Sequence, residues 1–238
     1  MKKKLIASLL VSSAVVGASL APLSVQATTT GNTPVTVGFE GGSLPDISGD
    51  PNTVRPDPGA TNSNFDLLFI PREFDFWKLS ISDDLTQPIP NKVDEGSNGH
   101  VEGVGVGDVR GTKEGWHVTA QSNGLKLGSE SLQGNITTSL ISTYALRIDE
   151  TTNSYTSSGV DDSAVSAVRP EVAISQGWTL NLGGDATLLA NATAGKGQGI
   201  WKFSMFKTYL NITTPANDIK AGAYTGNITW NLVAGPSI

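Results

Sequence analysis

Apolar and polar residues alternate along most of this 238-residue chain. Trp178, Leu180 and Leu182 alternate with polar residues, and residues 116–121 and 224–232 follow the same pattern. A period of two places the apolar residues on one face of a β-strand, because successive side chains point to opposite faces. Short runs of this kind, separated by Gly, Asn and Pro, predict an all-β protein with little helix. We expect a β-sandwich of Ig-like or Greek-key topology with roughly nine to ten strands.

The alternation changes phase within residues 73–82. Phe74 and Phe76 share one parity, whereas Trp77, Leu79 and Ile81 share the other. One extra residue in a strand, a β-bulge, shifts the phase in this way. We therefore predict a bulged strand here, and a second phase change within residues 201–212 predicts another.

The composition excludes several classes of protein. The chain has no cysteine, which excludes a disulfide scaffold, a thiolate metal site and a cysteine nucleophile. Its formal net charge of −6 argues against binding to the phosphate backbone of a nucleic acid. Hydrophobic residues make up 38% of the chain, which is enough for a packed core.

The N-terminus has the features of an export signal. Three lysines at residues 2–4 precede an uncharged apolar run, and Val25 and Ala27 supply the small residues of a cleavage site. The alternative is a membrane anchor, but the run is shorter than the ~20 residues that span a bilayer. We expect residues 1–27 to be cleaved. The signal carries three of the 16 basic groups and no acidic one, so 13 basic and 22 acidic residues remain, a formal charge of −9.

Residues 28–64 are predicted to be an N-terminal extension and loop. They are polar, and four prolines lie within residues 45–58. Residues 65–238 then form one domain, with part of residues 34–40 packed against it. Residues 233–238 contain no sorting signal of the sortase type. We therefore expect secretion without covalent anchoring.

Four tryptophans each begin a triplet in which an aliphatic residue follows two positions later. In a strand, such a triplet places an indole beside an aliphatic side chain on one face. Core packing is one interpretation, because an indole buries a large apolar area. A platform for a sugar ring is the other, with His117, Asn227 and Asn231 as polar neighbours. The triplets start at Trp77, Trp116, Trp178 and Trp230.

Two of the triplets lie within longer motifs. The first, within residues 106–120, consists of Asp108, Arg110, Gly111, Gly115, Trp116 and Val118. The second, within residues 222–236, consists of Tyr224, Trp230 and Leu232 and is followed by a proline. Together they resemble the two motifs of the WxL domain, a cell-surface domain of Gram-positive bacteria. Residues 195–201 resemble the Gly-rich stretch between those motifs. Val118 departs from the family's leucine but keeps an aliphatic side chain on the same face.

The resemblance implies a secreted protein that binds peptidoglycan non-covalently at the surface of a Gram-positive bacterium. It also implies a surface complex with a membrane-anchored WxL-interacting protein and a small sortase-anchored surface protein. The alternative is a domain that docks the membrane-anchored protein, so that retention at the wall is indirect. The resemblance implies no enzymatic activity and no cofactor.

Several motif residues have expected structural roles. Asp108 and Arg110 are expected to form an ion pair that braces the turn, and at an exposed turn such a pair contributes ~0–1 kcal/mol. Gly111 and Gly115 are expected to have positive φ. We expect Trp116→Ala and Trp230→Ala each to abolish retention at the wall, through loss of contact or loss of the fold.

No catalytic or metal site is predicted. The chain has two histidines, His100 and His117, and neither lies in a hydrolase motif. Asp46, Asp50 and Asp57 are a weak candidate for calcium binding, because their spacing is not that of an EF-hand.

Overall fold

The computed structural model describes residues 32–47, 49, 51–92, 101–158 and 167–237. The predicted signal peptide, Asp50 and His100 lie outside these residues. The chain divides into two units, Met1–Gly38 and Phe39–Ile238. The described residues of the first unit, 32–38, are exposed and have no regular secondary structure. Within the described part of the chain, no helix reaches the length and apolarity needed to cross a membrane.

Strands dominate the second unit, as the alternation predicts. The described residues form fourteen strands and one 3₁₀ turn, Ala216–Asp218. Nine of these strands have four or more residues, and the prediction of an all-β protein with little helix is confirmed. In chain order the strands are β1 Thr53–Val54, β2 Phe65–Pro71, β3 Ile89–Pro90, β4 Val101–Asp108, β5 Trp116–Ser122, β6 Leu125–Leu127, β7 Glu130–Leu132, β8 Gly134–Asp149, β9 Ser154–Ser157, β10 Glu171–Val172, β11 Trp178–Asn181, β12 Thr187–Ala192, β13 Gly199–Ile212 and β14 Ile228–Ala234.

The strands form two main antiparallel sheets. The first has eight strands in the order β1-β2-β4-β13-β8-β11, with β3 paired to β13 and β9 paired to β8. The second has four strands in the order β10-β12-β5-β14, and β6 and β7 form a separate hairpin. From β10 to β14, successive strands alternate between the two sheets. The chain therefore crosses repeatedly between the layers, as in a sandwich.

The main core lies between the two sheets. Trp201 and Phe203 of β13 face it from the first sheet, and Trp116 and Val118 of β5 face it from the second. The rings of Trp116 and Phe203 meet edge to face with their centroids 6.1 Å apart. This contact joins the two layers with the geometry that aromatic pairs prefer.

A second, smaller core covers the outer face of the first sheet. From residue 103 to residue 107, β4 alternates glycine with valine, and Val104 and Val106 lie in the main core. The glycines leave space on the opposite face for Phe69 and Leu44, which are buried there. A Cβ on Gly105 would lie 2.5 Å from Cζ of Phe69, which is too close for a real contact. The segment around Leu44, within the predicted loop, thus contributes to a core.

Residues 73–82 do not form the predicted bulged strand. Phe76 makes one isolated bridge to Asn91, and the residues that follow it have no regular structure. The alternating residues from Trp77 to Ile81 therefore have no neighbouring strand among the described residues. As a result, 56% of Trp77 is exposed.

The second phase change has a different cause from the one predicted. β13 is continuous and keeps one register with β8 along its whole length. Lys207 has a φ of +55°, and the buried side changes there from the face with Phe203 to the face with Thr208 and Leu210. The register shifts of the described strands occur elsewhere, in β2 and in β12.

Candidate functional site

The two tryptophan motifs lie side by side in the second sheet. β5 contains the tryptophan of the first motif and β14 that of the second, and the strands pair antiparallel. Both motifs continue to an alanine, so that each has the pattern Trp-x-aliphatic-x-Ala. The register places Trp116 opposite Ala234 and Trp230 opposite Ala120. Each indole thus has a methyl group as its cross-strand neighbour, which leaves room for both rings on one face.

Trp116 and Val118 lie entirely within the core, with 0% of either residue exposed. The indole Nε1 of Trp116 donates a hydrogen bond to the carbonyl oxygen of Gly197 at 3.0 Å. Gly197 belongs to the Gly-rich stretch, and a Cβ there would lie 2.5 Å from the same nitrogen. The stretch therefore packs closely against the ring of Trp116. In this arrangement neither Trp116 nor Val118 can contact a ligand.

The second motif is half-buried. The indole of Trp230 stacks on Trp178 of the first sheet, with ring centroids 6.4 Å apart and an interplanar angle of 13°. Leu232 is half-buried on the same face of β14. The hydroxyl of Tyr224 donates to the carbonyl oxygen of Lys220 at 3.1 Å, which fixes the chain just before β14. The side chains of this motif therefore also serve packing.

Asp108 and Arg110 form a buried network, not the ion pair expected at an exposed turn. Nε and Nη2 of Arg110 donate to the two carboxylate oxygens of Asp108, each at 2.9 Å, and Asp108 is 2% exposed. Arg110 also donates to Glu114 and to the carbonyl oxygen of Gly115. The hydrogen bond to Asp108 raises the pKa of Arg110. The guanidinium lies 3.7 Å from the ring centroid of Phe65, so β2 covers the pair and excludes water from it.

The two glycines of the first motif have left-handed backbone, with φ of +80° at Gly111 and +84° at Gly115. Their surroundings differ. A Cβ on Gly111 would meet nothing within 4 Å, whereas a Cβ on Gly115 would overlap the carbonyl oxygen of Ala192. The carbonyl oxygen of Gly115 also accepts a hydrogen bond from the backbone N–H of Gly235 at 3.0 Å. Gly115 thus lies where the ends of β5, β12 and β14 meet.

A cleft of about 280 Å³ opens beside the second motif. β14 is an edge strand of the second sheet, and Trp230, Asn231 and Leu232 form one wall of the cleft. Residues within 56–67 form the other wall, which includes Phe65 and two aspartates. In the second motif, this cleft, the edge beside it and the outer face of β14, which carries Thr229, Asn231 and Val233, remain accessible to another molecule.

Comparison with known families agrees with this arrangement. The family model described as WxL domain, surface cell wall-binding, matches residues 26–236. The chain belongs to the WxL family. The matched residues include both motifs and the Gly-rich stretch, and membership supports binding of the cell wall at the cell surface. No curated protein and no solved structure matches the chain significantly.

Arg110→Ala is expected to lower the free energy of unfolding of this WxL domain by about 1–3 kcal/mol. The substitution leaves the Asp108 carboxylate buried without its two guanidinium hydrogen bonds. Urea denaturation measures the effect. Lys196→Ala is the control, because it removes a partner of the exposed carboxylate of Glu171 and should change the free energy of unfolding much less. Equal effects of the two variants would show that burial does not strengthen the Asp108–Arg110 pair.

The sequence pattern groups Trp77 with the other triplets of this WxL chain, although the structure separates it from them. Phe74 and Phe76 pack against the main core, whereas Trp77 and the apolar residues after it are exposed. The change of phase marks this boundary. It separates two apolar faces, and only the first of them has a core to cover it.

The remaining polar candidates are engaged in the fold. Nδ1 of His117 lies 2.9 Å from the carbonyl oxygen of Gly235 and helps to hold the end of β14. Asp46, from the weak calcium candidate, accepts a hydrogen bond from Arg55 at 2.9 Å. Among the described residues, no group of three or more His, Asp or Glu side chains could hold a metal ion.

Proposed function

We propose that this WxL protein is secreted and binds peptidoglycan directly and non-covalently at the surface of a Gram-positive bacterium, without enzymatic activity. The exposure of Trp77 is the observation that most strongly supports this proposal. The apolar C–H face of a sugar stacks on an indole only where one face of the ring is open to solvent. Trp116, Trp178 and Trp201 are 2% exposed or less, whereas Trp77 is 56% exposed.

The surroundings of Trp77 suit an uncharged contact. Leu79 and Ile81 are also exposed, so the indole lies in an apolar strip. Nζ of Lys92 lies 5.9 Å from the ring centroid and forms an ion pair with Asp75 at 2.8 Å, which supports the ring from one side. The expected charge of −9 on the mature chain repels anionic wall polymers. Stacking on an apolar strip gives attraction that this repulsion does not cancel.

Trp77→Ala is expected to reduce binding to purified peptidoglycan about tenfold, because the stacking surface is lost. The free energy of unfolding should stay within about 0.5 kcal/mol of the wild-type value, since the residue is exposed. Co-sedimentation with a peptidoglycan suspension, without any partner protein, measures the binding. Leu140→Ala is the matched control, because it removes an exposed apolar side chain from β8. If Trp77→Ala binds as well as Leu140→Ala, the contact is not at Trp77.

The alternative is an assembly domain that docks the membrane-anchored WxL-interacting protein, together with the small sortase-anchored protein. The cleft beside Trp230 favours this alternative, because it combines an edge strand with apolar and acidic side chains. Retention at the wall is then indirect. Purified protein that binds peptidoglycan only after the membrane-anchored partner is added would support the alternative and exclude direct binding.

A further inference from the structure

We infer that residues 34–39 of one copy form a strand that pairs with the free edge of β14 in a second copy. The interaction is a β-augmentation, in which an extended segment adds to the exposed edge of a sheet. It goes beyond wall binding and does not depend on it, because Trp77 takes no part. Three observations support it: an exposed apolar segment, a free edge, and a cleft beside that edge with apolar side chains in its wall.

The donor segment has the sequence pattern of a strand but pairs with no strand among the described residues. Val35, Val37 and Phe39 alternate with Thr36 and Gly38, and the three apolar residues are 89%, 76% and 93% exposed. No backbone hydrogen bond links residues 34–40 to the rest of the described chain. A half-buried strand normally covers such a face. Here no described residue of the same copy covers the apolar face.

The hydrogen bonds of β14 show which of its backbone groups are free. Asn123 N–H donates to Asn227 O, and Gly235 N–H donates to Gly115 O, both at 3.0 Å. In an antiparallel pair the hydrogen-bonded positions alternate, so the odd-numbered residues of β14 bond to β5. The N–H and C=O groups of the even-numbered residues then point away from β5. These residues are Ile228, Trp230, Leu232 and Ala234, and no other strand in the described residues pairs with them.

This edge lacks the usual protection against strand addition. Edge strands are commonly blocked by charged side chains, proline or a bulge. β14 has the sequence ITWNLVA, with no charge and no proline, and it keeps one register with β5 throughout. Its seven residues are long enough to pair with the six residues of the donor. The edge is therefore a template for another strand.

The cleft beside β14 matches the chemistry of the donor. One wall presents the apolar side chains of Phe65 and Leu67 opposite Leu232. A donor strand in this cleft places its apolar face against these side chains and its Thr36 and Gly38 face toward solvent. The cleft also contains two aspartates, which disfavour an acidic strand, and residues 33–39 carry no charge.

The occupant is a second copy, because within one copy Val35, Val37 and Phe39 are 76–93% exposed and no backbone hydrogen bond among the described residues joins residues 34–40 to β14. Each copy then offers one donor and one acceptor, which makes the contact heterologous. Such contacts continue from copy to copy unless a ring closes. The expected products are dimers and longer chains at the cell surface.

Self-association of the mature chain is the first test. Sedimentation velocity should show oligomers whose fraction rises with protein concentration. Val35→Asp/Val37→Asp should weaken the association roughly 100-fold or more, because two carboxylates would be buried in the cleft. Both residues are exposed in a single copy, so the thermal unfolding of the variant should match that of the wild type. Unchanged association of the variant would overturn the inference.

Cross-linking tests the pairing itself, and the absence of native cysteine makes the result clear. A Thr36→Cys chain is mixed with an Asn231→Cys chain under mild oxidation. We expect a disulfide between the two chains, and far less of it when Ser131→Cys on β7 replaces Asn231→Cys. A disulfide that forms only within one chain carrying both Thr36→Cys and Asn231→Cys, or capture of the membrane-anchored partner at this edge by a chain that stays monomeric, would overturn the inference.

Discussion

Trp116→Ala is expected to lower the free energy of unfolding by about 3–5 kcal/mol, the range measured when a buried tryptophan or phenylalanine is truncated to alanine. Trp116 is completely buried between the sheets, and its ring contacts Phe203 of the opposite layer. The variant loses this contact and leaves the carbonyl oxygen of Gly197 without its hydrogen bond. Because Ala192 and Ala234 are its cross-strand neighbours, no large side chain is nearby on the sheet to fill the cavity.

Chemical denaturation followed by tryptophan fluorescence measures this loss, since four tryptophans remain. Trp116→Phe separates packing from hydrogen bonding, because it keeps an aromatic ring but still leaves the Gly197 carbonyl oxygen unpaired. It should have an intermediate stability. Trp77→Ala is the control on an exposed ring. If Trp116→Ala is as stable as Trp77→Ala, the placement of Trp116 in the core is wrong.

The result also decides how wall-binding experiments on the motif are read. A Trp116→Ala protein that is retained poorly at the wall reports the loss of folded protein, not the loss of a contact. Binding must therefore be compared at equal concentrations of folded protein. Under that condition, the motif variant should bind as well as the wild type, whereas Trp77→Ala should not.

Alternation along the chain was enough to predict the class of the fold and the inward face of most long strands. Each of the triplets at Trp116, Trp178 and Trp230 lies in a strand, with its indole and aliphatic side chains on the core side. Residues 73–82 have the same local pattern and form no strand. The difference is not in the local sequence. A strand requires a neighbour to complete its hydrogen bonds, and the neighbour comes from a distant part of the chain.

The candidate site was predictable in its residues but not in its burial. The spacing of Asp108 and Arg110 predicted that they would pair. It did not predict that Phe65, more than 40 residues earlier, would cover them and turn a surface pair into a buried network. In the same way, the Gly-rich stretch was visible in the sequence, whereas its packing on Trp116 depends on a contact between residues 81 positions apart.

The second large effect on stability is expected at the two glycines of the first motif. Comparing alanine substitutions at these positions isolates the effect of steric overlap. Gly111 and Gly115 have nearly the same positive φ, so an alanine at either position pays the same cost for left-handed backbone, about 1–2 kcal/mol. At Gly111 the added methyl group meets only open space. Gly111→Ala should therefore lower the free energy of unfolding by that amount alone.

Gly115→Ala should cost about 2–5 kcal/mol, because overpacking adds about 1–3 kcal/mol to the backbone term. The new methyl group overlaps the carbonyl oxygen of Ala192, which is backbone and cannot rotate away. To relieve the overlap, β12 must move away from β5 at the position where Ala192 pairs with Trp116. Urea denaturation of the two variants under identical conditions measures the difference. Equal losses of stability would mean that glycine is required at position 115 only for its backbone conformation. A larger loss for Gly115→Ala would mean that glycine is also required for the close approach of β5 and β12 that buries Trp116.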